Sequence, residues 1–342
     1  MTVPRVSVVM PVFNGVDYLA ETLDSLRMQS LGDFELVVVD DGSTDGSWEL
    51  LREYARSDER MRLYRHNLNR GHRAASNRAF SLARAPYVAR HDQDDISSSR
   101  RLQLQVDYLD HHPDVGLVSC AARKRNRSGI TRTTLPPTEH ALVRWGLLFD
   151  MVFCHSSLVF RREFVIGPNA YRYAPAACDY EVCARLGRET RLAALPQPLV
   201  TYRVHDAGLS AARADAMRRS AAAISARQIR RLLAPKGLGR REIEALRRLA
   251  TGRAISKADL ASIPLLLKLM DRFGGEDGVS LIDLQRIRRT WQTRLVRRTS
   301  LRLLAPLLAR DPAGLGARLV ERIVERGGRW AASVFSRRMM RL

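Results

Sequence analysis

Four short runs of β-branched and apolar residues organise the start of this chain: VSVVM (6–10), FELVVV (34–39), RMRLYR (60–65) and YVARH (87–91). The first two are nearly unbroken, the pattern of strands buried on both faces of a parallel sheet, while the third alternates and reads nearer an edge. Between them, 16–29, 44–56 and 72–84 carry helical spacing, as with Leu19, Leu23 and Leu26. Strand–helix–strand repeats of this length need right-handed crossovers, which confines the first hundred residues to a doubly wound, mostly parallel α/β sheet. Ligands of such sheets bind beyond the carboxyl ends of the strands. The residues that follow each run are therefore where chemistry is expected.

Those residues are PVFNG (11–15), DDGSTD (40–45) and DQDD (92–95). Asp40 and Asp41 read in two ways. They could form an ordinary turn, with Ser43 or Thr44 capping the next helix. Alternatively, Asp40 accepts a hydrogen bond from a nucleobase N–H while Asp41 orders the loop. Asp92 and Asp94 alternate, so both carboxylates can face one way in an extended loop. Hard divalent ions such as Mg2+ or Mn2+ use one or two such carboxylates and complete their shell with phosphates and water. A solvated acidic turn is the plainer reading. Asp95 or Ser97 is expected to cap the helix that follows.

Further on, 98–112 reads as a helix with Leu102, Val106 and Leu109 on one face. VGLVSC (115–120) and VFCHSSLVF (152–160) read as strands, and the basic stretch 123–137 as a mobile loop. A short helix at 178–187 ends at Gly187, and RLAAL and LVTYRVH follow as separate strand-like pieces. Beyond Ser210 the pattern is helical, with one stripe through Leu284, Ile287, Trp291 and Leu295 and another through Leu315, Leu319, Ile323, Trp330 and Val334. Both tryptophans read as core. The expected organisation is a catalytic domain over 1–210 and an arginine-rich helical region over 211–342.

These residues, taken in order and spacing, resemble family 2 glycosyltransferases of the GT-A type. The likeness runs through VSVVMPVFNG, LVVVDDGSTDGS and NRGHRAASNRAFSLARAPYVARHDQDD, then HSSLVFRRE (155–163), CDYEVCARL (178–186) and YRVHDAGLS (202–210). It covers about 1–210. The resemblance implies a nucleotide-sugar donor, UDP- or dTDP-linked, and transfer with inversion to a saccharide or lipid-linked acceptor in cell-envelope synthesis. It implies that Pro11, Val12, Phe13, Asn14 and Asp40 hold the base and ribose, with Asp41 beside them. Asp92 would lie near ribose and metal, and Asp94 would ligate Mg2+ or Mn2+. His205 would contact diphosphate or metal, with Arg203 next to it. The family's base lies in an acidic pair that opens a helix and maps to Cys178-Asp179, so Asp179 is the catalytic base and Cys178 a departure. His155 is a candidate on the acceptor side, or a histidine satisfied at a strand end. Tyr180 reads as helix packing. His66, His72 and His91 show no ligand spacing, and His91 reads as structural. Processive relatives carry Gln-x-x-Arg-Trp, whereas Arg144-Trp145 here is preceded by Ala141, which favours single addition. Cys178 also motivates another reading, a catalytically degenerate nucleotide-sugar sensor or membrane-surface scaffold.

The chain has 342 residues and a formal charge of +21, and the charge is uneven. From residue 211 onward there are 30 Lys and Arg against 11 Asp and Glu, nearly all of them arginine. Helices with apolar stripes and basic flanks over 280–342 suit an anionic membrane surface. They suit equally well packing on the catalytic domain with their arginines solvated, or an anion-binding interaction role. Nucleic acid is not the expected partner, because no reading module or stacking platform accompanies the charge. No stretch approaches the roughly 20 apolar residues of a membrane span, and the first residues lack a basic leader and cleavage site. The four cysteines lack Cys-x-x-Cys spacing, which excludes zinc ribbons and redox motifs. A cytoplasmic protein with free thiols, peripheral on the inner face of the membrane, is expected.

Overall fold

The computed structural model describes residues 3–298 apart from 167–169, 173–175, 206–213, 234–237, 254 and 257, with side chains to Trp291. The chain divides between Gln228 and Ile229 into two compact units.

The first unit is built on a nine-stranded sheet. Strands β1 (Val6–Val12), β2 (Phe34–Asp40), β3 (Met61–Arg65) and β4 (Tyr87–Arg90) are parallel in the order β3-β2-β1-β4. Helices α1 (Val16–Arg27), α2 (Ser47–Ser57) and α3 (His72–Leu82) connect them. The unbroken apolar runs follow from burial on both faces. Val8, Met10, Leu36 and Val38 pack with Leu19, Leu23 and Leu51 on one side, while Val9, Val37 and Val39 pack with Ala79 and Phe80 on the other. Because β1 is flanked by β2 on one side and β4 on the other, strand order reverses at β1. That reversal opens a crevice at the carboxyl ends.

The sheet continues through β5 (Ile96–Ser97), β6 (Val115–Asn126), β7 (Gly129–Thr134), β8 (Val159–Arg161) and β9 (Arg191–Arg203). Strand β8 joins β4 to β6 antiparallel to both, and β6 pairs with β9 in parallel. Helices α4 (Arg101–His111), α5 (His140–Leu147) and α6 (Cys178–Leu186) complete the unit, with the first part of α7 (Ala214–Leu233). Ile224 joins the core there, and the Ser225 hydroxyl donates to the Leu148 carbonyl at 2.7 Å.

Four expectations are corrected. The stretch 123–137 is largely a hairpin rather than a loop, turned by Gly129 at φ 110° and by Ser128 N–H donating to Asn126 Oδ1 at 2.9 Å. Residues 152–160 are mostly not strand, because a 3-10 turn at His155–Ser157 precedes the short β8. RLAAL and LVTYR lie on one strand, β9, with Val204 and His205 beyond its end. Pro196 and Pro198 lie where the register with β6 shifts between Cys120 and Ala121, the kind of irregularity that tolerates residues without an N–H. Finally, α2 and α4 begin at Gly46 and Arg100 with no side-chain cap, so Ser43, Thr44, Asp95 and Ser97 are not caps.

In the second unit, α8 (Arg240–Thr251), α9 (Ile263–Gly274) and α10 (Leu281–Arg298) pack on one another. Leu246, Leu269 and Phe273 are buried, and of the first stripe Ile287 and Trp291 are buried while Leu284 is half-buried. Leu295, Trp330 and the second stripe lie outside the residues whose side chains are described. Among the described residues no helix is long and apolar enough to cross a membrane.

Candidate active site

At the carboxyl end of β2, Asp40 is fully buried. Its Oδ2 lies 3.0 Å from Arg65 Nε and accepts the Ser43 N–H, while Oδ1 has no hydrogen-bond partner among the described residues. A buried carboxylate oxygen left unpaired is costly, and the chemistry that suits it is an incoming N–H. Asp41 is different, since both its oxygens are used. They meet His66 Nδ1 at 2.7 Å and accept the N–H groups of Arg70 and Gly71 at 2.9 and 2.8 Å. Asp41 thus holds the 66–71 loop against β2. Across from it, Asn14 sits at φ 45°. Its N–H donates to Ser43 Oγ, and its Oδ1 accepts the Thr44 N–H, tying the loop after β1 to the loop after β2. Pro11 and Val12 are buried within β1, and Phe13 is exposed.

The three acids after β4 have three separate environments. Burial would lift the Asp92 carboxyl, but the Arg90 charge, then His155 and His72, holds it well below the usual range. Asp94 is raised by burial and by the charge of Asp92, an effect that His205 partly offsets across 2.8 Å. Asp95 is fully buried and pushed well above the usual range by burial and by Asp92 and Asp94. Its oxygens meet Ser156 Oγ at 2.5 Å and accept the Arg203 N–H at 2.9 Å. Ser156 also lies 3.0 Å from Asp92 Oδ2. One hydroxyl has one proton, so Ser156 can donate to only one of these two carboxylates at a time.

Arg203 donates to the Asp94 carbonyl at 2.9 Å, pairs with Glu21 at 2.5 Å and lies over the Tyr18 ring. Its guanidinium fastens β9 to the acidic loop and to α1. His205 also packs on Tyr18, and among the described residues its buried Nδ1 has no hydrogen-bond partner.

Asp179 lies in the first turn of α6, half-buried. Burial raises its pKa, the Tyr180 N–H and His72 lower it, and Asp92 raises it further. It therefore shares its electrostatic surroundings with the acidic loop. The neighbouring Cys178 thiol is pushed up to about 12 by burial and by Asp179 and stays neutral. Tyr180 is buried and bonded to the Leu147 carbonyl, as a packing residue. The four cysteines are free.

The match to the family described as "Glycosyl transferase family 2" runs over residues 7–166, which include all three of these loops. Over these residues the chain matches glycosyl transferase family 2. EpsE of Bacillus subtilis (strain 168), named as a glycosyltransferase, is 32% identical over 172 residues, 49% of this chain and 60% of EpsE, so the chain spans under two thirds of that relative. The O-antigen biosynthesis glycosyltransferase WbnJ of Escherichia coli is 28% identical over 208 residues, 59% of this chain and 80% of WbnJ. The crystal structure of S. aureus TarS 1–349 with UDP-GlcNAc aligns at TM-score 0.55 and 18% identity, covering 95% of this chain and 92% of that one. The first unit has the GT-A fold.

Sequence reading missed one group in this site. His72 Nε2, one oxygen of Asp92 and one ring nitrogen of His155 lie within 4.8 Å of one another, the spacing of a metal cluster. His72 opens α3 and His155 arrives from beyond β6, so no local spacing announces them. Arg90, at the end of β4, is fully buried and contacts both Asp92 Oδ1 and His72 Nε2, at 2.5 and 2.7 Å. A divalent ion about 3 Å from a guanidinium would be repelled by roughly 11 kcal/mol at an effective dielectric of about 20. The cluster is thus already served by a cation. Asp94 with His205 is a carboxylate–imidazole pair to which, among the described residues, no arginine or lysine side chain is bonded, and this donor set does fit Mg2+ or Mn2+. His155 is held neutral by burial and by Arg90, with Nε2 2.5 Å from the Tyr171 hydroxyl.

Proposed function

We propose that this protein transfers a sugar from a UDP- or dTDP-linked donor to an acceptor hydroxyl, with inversion and one sugar per acceptor. What supports the reading is a single convergence at one sheet edge. An unpaired Asp40 oxygen suits a base N–H, the Asp94–His205 pair suits a diphosphate-bound cation, and Asp179 carries a carboxyl of raised pKa. The UDP and UDP-GlcNAc bound in the TarS crystal structures accord with such a donor.

In this reading Asp40, Asn14 and the backbone of 11–13 hold the nucleoside. Held by Asp94, His205 and the diphosphate, Mg2+ or Mn2+ would neutralise the charge that grows on the leaving group. Asp179 takes the acceptor hydroxyl's proton as its oxygen bonds to C1 and the C1–O bond to the diphosphate breaks. A raised pKa makes Asp179 a stronger base than an ordinary carboxylate. One displacement gives inversion without a covalent intermediate. The acceptor belongs to cell-envelope saccharide or lipid-linked chemistry, a reading supported by the O-antigen role in the name of WbnJ. Arg286, Arg288 and Arg289 are exposed beside the exposed Leu281 and Ile282, which supports an anionic inner-membrane surface as the place of work.

A panel of nucleotide sugars, each with Mg2+ or Mn2+, is expected to raise the melting temperature for one donor class by mass action. Asp179→Asn should keep that stabilisation and lose transfer by about a hundredfold or more. Unchanged transfer in this variant defeats the assignment. Cys178 supports a second reading, because a neutral thiol cannot replace the family's second acid. Donor stabilisation of the native protein without turnover on any envelope acceptor pool would favour that sensor role.

A further inference from the structure

We infer that Arg90 is the resident cation of Asp92, so that Asp92 holds the site together and leaves the donor's divalent ion to Asp94 and His205. The inference rests on the donor reading above and divides the work of the two acids within it. Asp92 Oδ1 is taken by Arg90 Nη2 at 2.5 Å. Its Oδ2 meets Ser156 Oγ at 3.0 Å and faces His155 Nδ1 at 3.6 Å. Its N–H donates to Ser156 Oγ at 3.0 Å. Both oxygens are therefore engaged by protein groups before any ligand arrives. Among the described residues, the one side chain that hydrogen-bonds the Asp94 carboxylate is His205, at 2.8 Å through Oδ2.

The guanidinium nitrogen also lies 2.7 Å from His72 Nε2, between two of the three ligand atoms of the apparent metal cluster. Arg90 is fully buried and its Nε and Nη1 have no hydrogen-bond partner, so its charge has Asp92 as its nearest counter-ion. A guanidinium cannot lose its proton, and it cannot be exchanged as an aqueous ion can. Arg90 is thus a positioning residue. It fixes Asp92 permanently and excludes a second, donor-independent metal from His72 and His155. Removing it should convert the three groups into a site of two imidazoles and one carboxylate, a donor set that suits Co2+ and Zn2+. The cluster is reachable, since the side chains of His72, Asp92 and His155 are 22%, 24% and 16% exposed.

Two measurements on the full chain test this without relying on turnover. In the first, free Mn2+ is followed by electron paramagnetic resonance with saturating UDP. Asp94→Asn should weaken Mn2+ binding at least tenfold, while Asp92→Asn should stay within about threefold of the native protein, circular dichroism confirming that each is folded. Equal loss in both variants overturns the inference. The second measurement uses Co2+ alone, without nucleotide. The native protein should show no Co2+ absorption that His72→Ala removes, and Arg90→Met should gain a one-to-one site that His72→Ala removes. Should Arg90→Met not fold, Arg90→Gln replaces it. Native Co2+ binding lost in His72→Ala overturns the inference, and so does a folded Arg90 variant that gains no site. A native protein that binds no Mn2+ with UDP defeats the donor reading instead, and the Co2+ result then decides the role of Arg90 by itself.

Discussion

Gln93 lies between Asp92 and Asp94 and hydrogen-bonds the Phe13 backbone twice. Its Oε1 accepts the Phe13 N–H at 2.6 Å, and its Nε2 donates to the Phe13 carbonyl at 3.0 Å. The side chain acts as a strand partner for one residue and locks the loop after β1 to the loop after β4. Gly15 leaves room for it, because a Cβ there would come within 2.6 Å of the Gln93 amide.

Replacing Gln93 by Met keeps the volume and removes both hydrogen bonds, each worth about 1 kcal/mol net. UDP binding is expected to weaken about tenfold, the equivalent of about 1.4 kcal/mol. Gly15→Ala should do the same by displacing Gln93. Calorimetric titration with UDP checks both, and native affinity in Gln93→Met would show that the two loops are ordered independently.

Asp41→Asn removes the charge that serves His66 and two backbone N–H groups in a buried setting. An amide offers one acceptor oxygen where the carboxylate offered two. At least one donor is left unpaired, and the expected loss is about 2 kcal/mol of stability. Urea unfolding measures it, and hydrogen exchange should locate the loosening at Arg70 and Gly71.

The parallel half of the sheet was legible because β1, β2 and β4 are buried on both faces and each acidic loop follows directly from its strand. Asp40 and Asp94 could be singled out for that reason, whereas Asp179, which opens a helix, was legible only through the family resemblance. What stayed hidden depends on contacts across the sequence. Arg90 reads as one more arginine until β4 is seen to bury it beneath Asp92. His72 and His155 meet only because α3 and the 3-10 turn flank that strand. The hairpin at 123–134 was legible in principle, since Asn126 and Gly129 bracket a two-residue turn. Its basic composition hid the pairing. Pro196 and Pro198 separate RLAAL from LVTYR in the sequence, and only the pairing with β6 shows one strand running through them with a shift of register.

Glu35, buried in β2, accepts from Ser7 Oγ at 2.6 Å, Arg62 at 2.7 Å, and the Arg84 N–H and Nε at 2.9 Å each. One carboxylate thereby joins β1, β2, β3 and the turn before β4, at the sheet edge opposite the active site. Glu35→Ala strands two arginines and two other donors, and a loss of about 3–5 kcal/mol is expected. Chemical denaturation checks this. A loss below about 1 kcal/mol would mean that water replaces the carboxylate.

In the second unit, Asp259 and Arg248 join the short 3-10 helix Ala258–Ser262 to α8, with hydrogen bonds of 2.9 and 2.6 Å. The Arg248 hydrogen bonds, outweighing burial and aided by Ser256, hold the Asp259 carboxyl at about 2. The unfolded value is near about 3.9. A depressed folded pKa means that the unfolded chain binds the proton first, so the pair's contribution is complete above about pH 4 and is lost as the pH falls toward about 2. The size of the shift corresponds to at most about 2.6 kcal/mol. Asp259→Asn should therefore loosen the α8 amides by up to that amount at about pH 7, as read by hydrogen exchange on the full chain. The gap between variant and native protein should stay constant from about pH 7 to 5 and narrow below about pH 4. A gap that closes already within that upper range would mean that some other group, not this carboxylate, governs the pairing of α8 with the 3-10 helix.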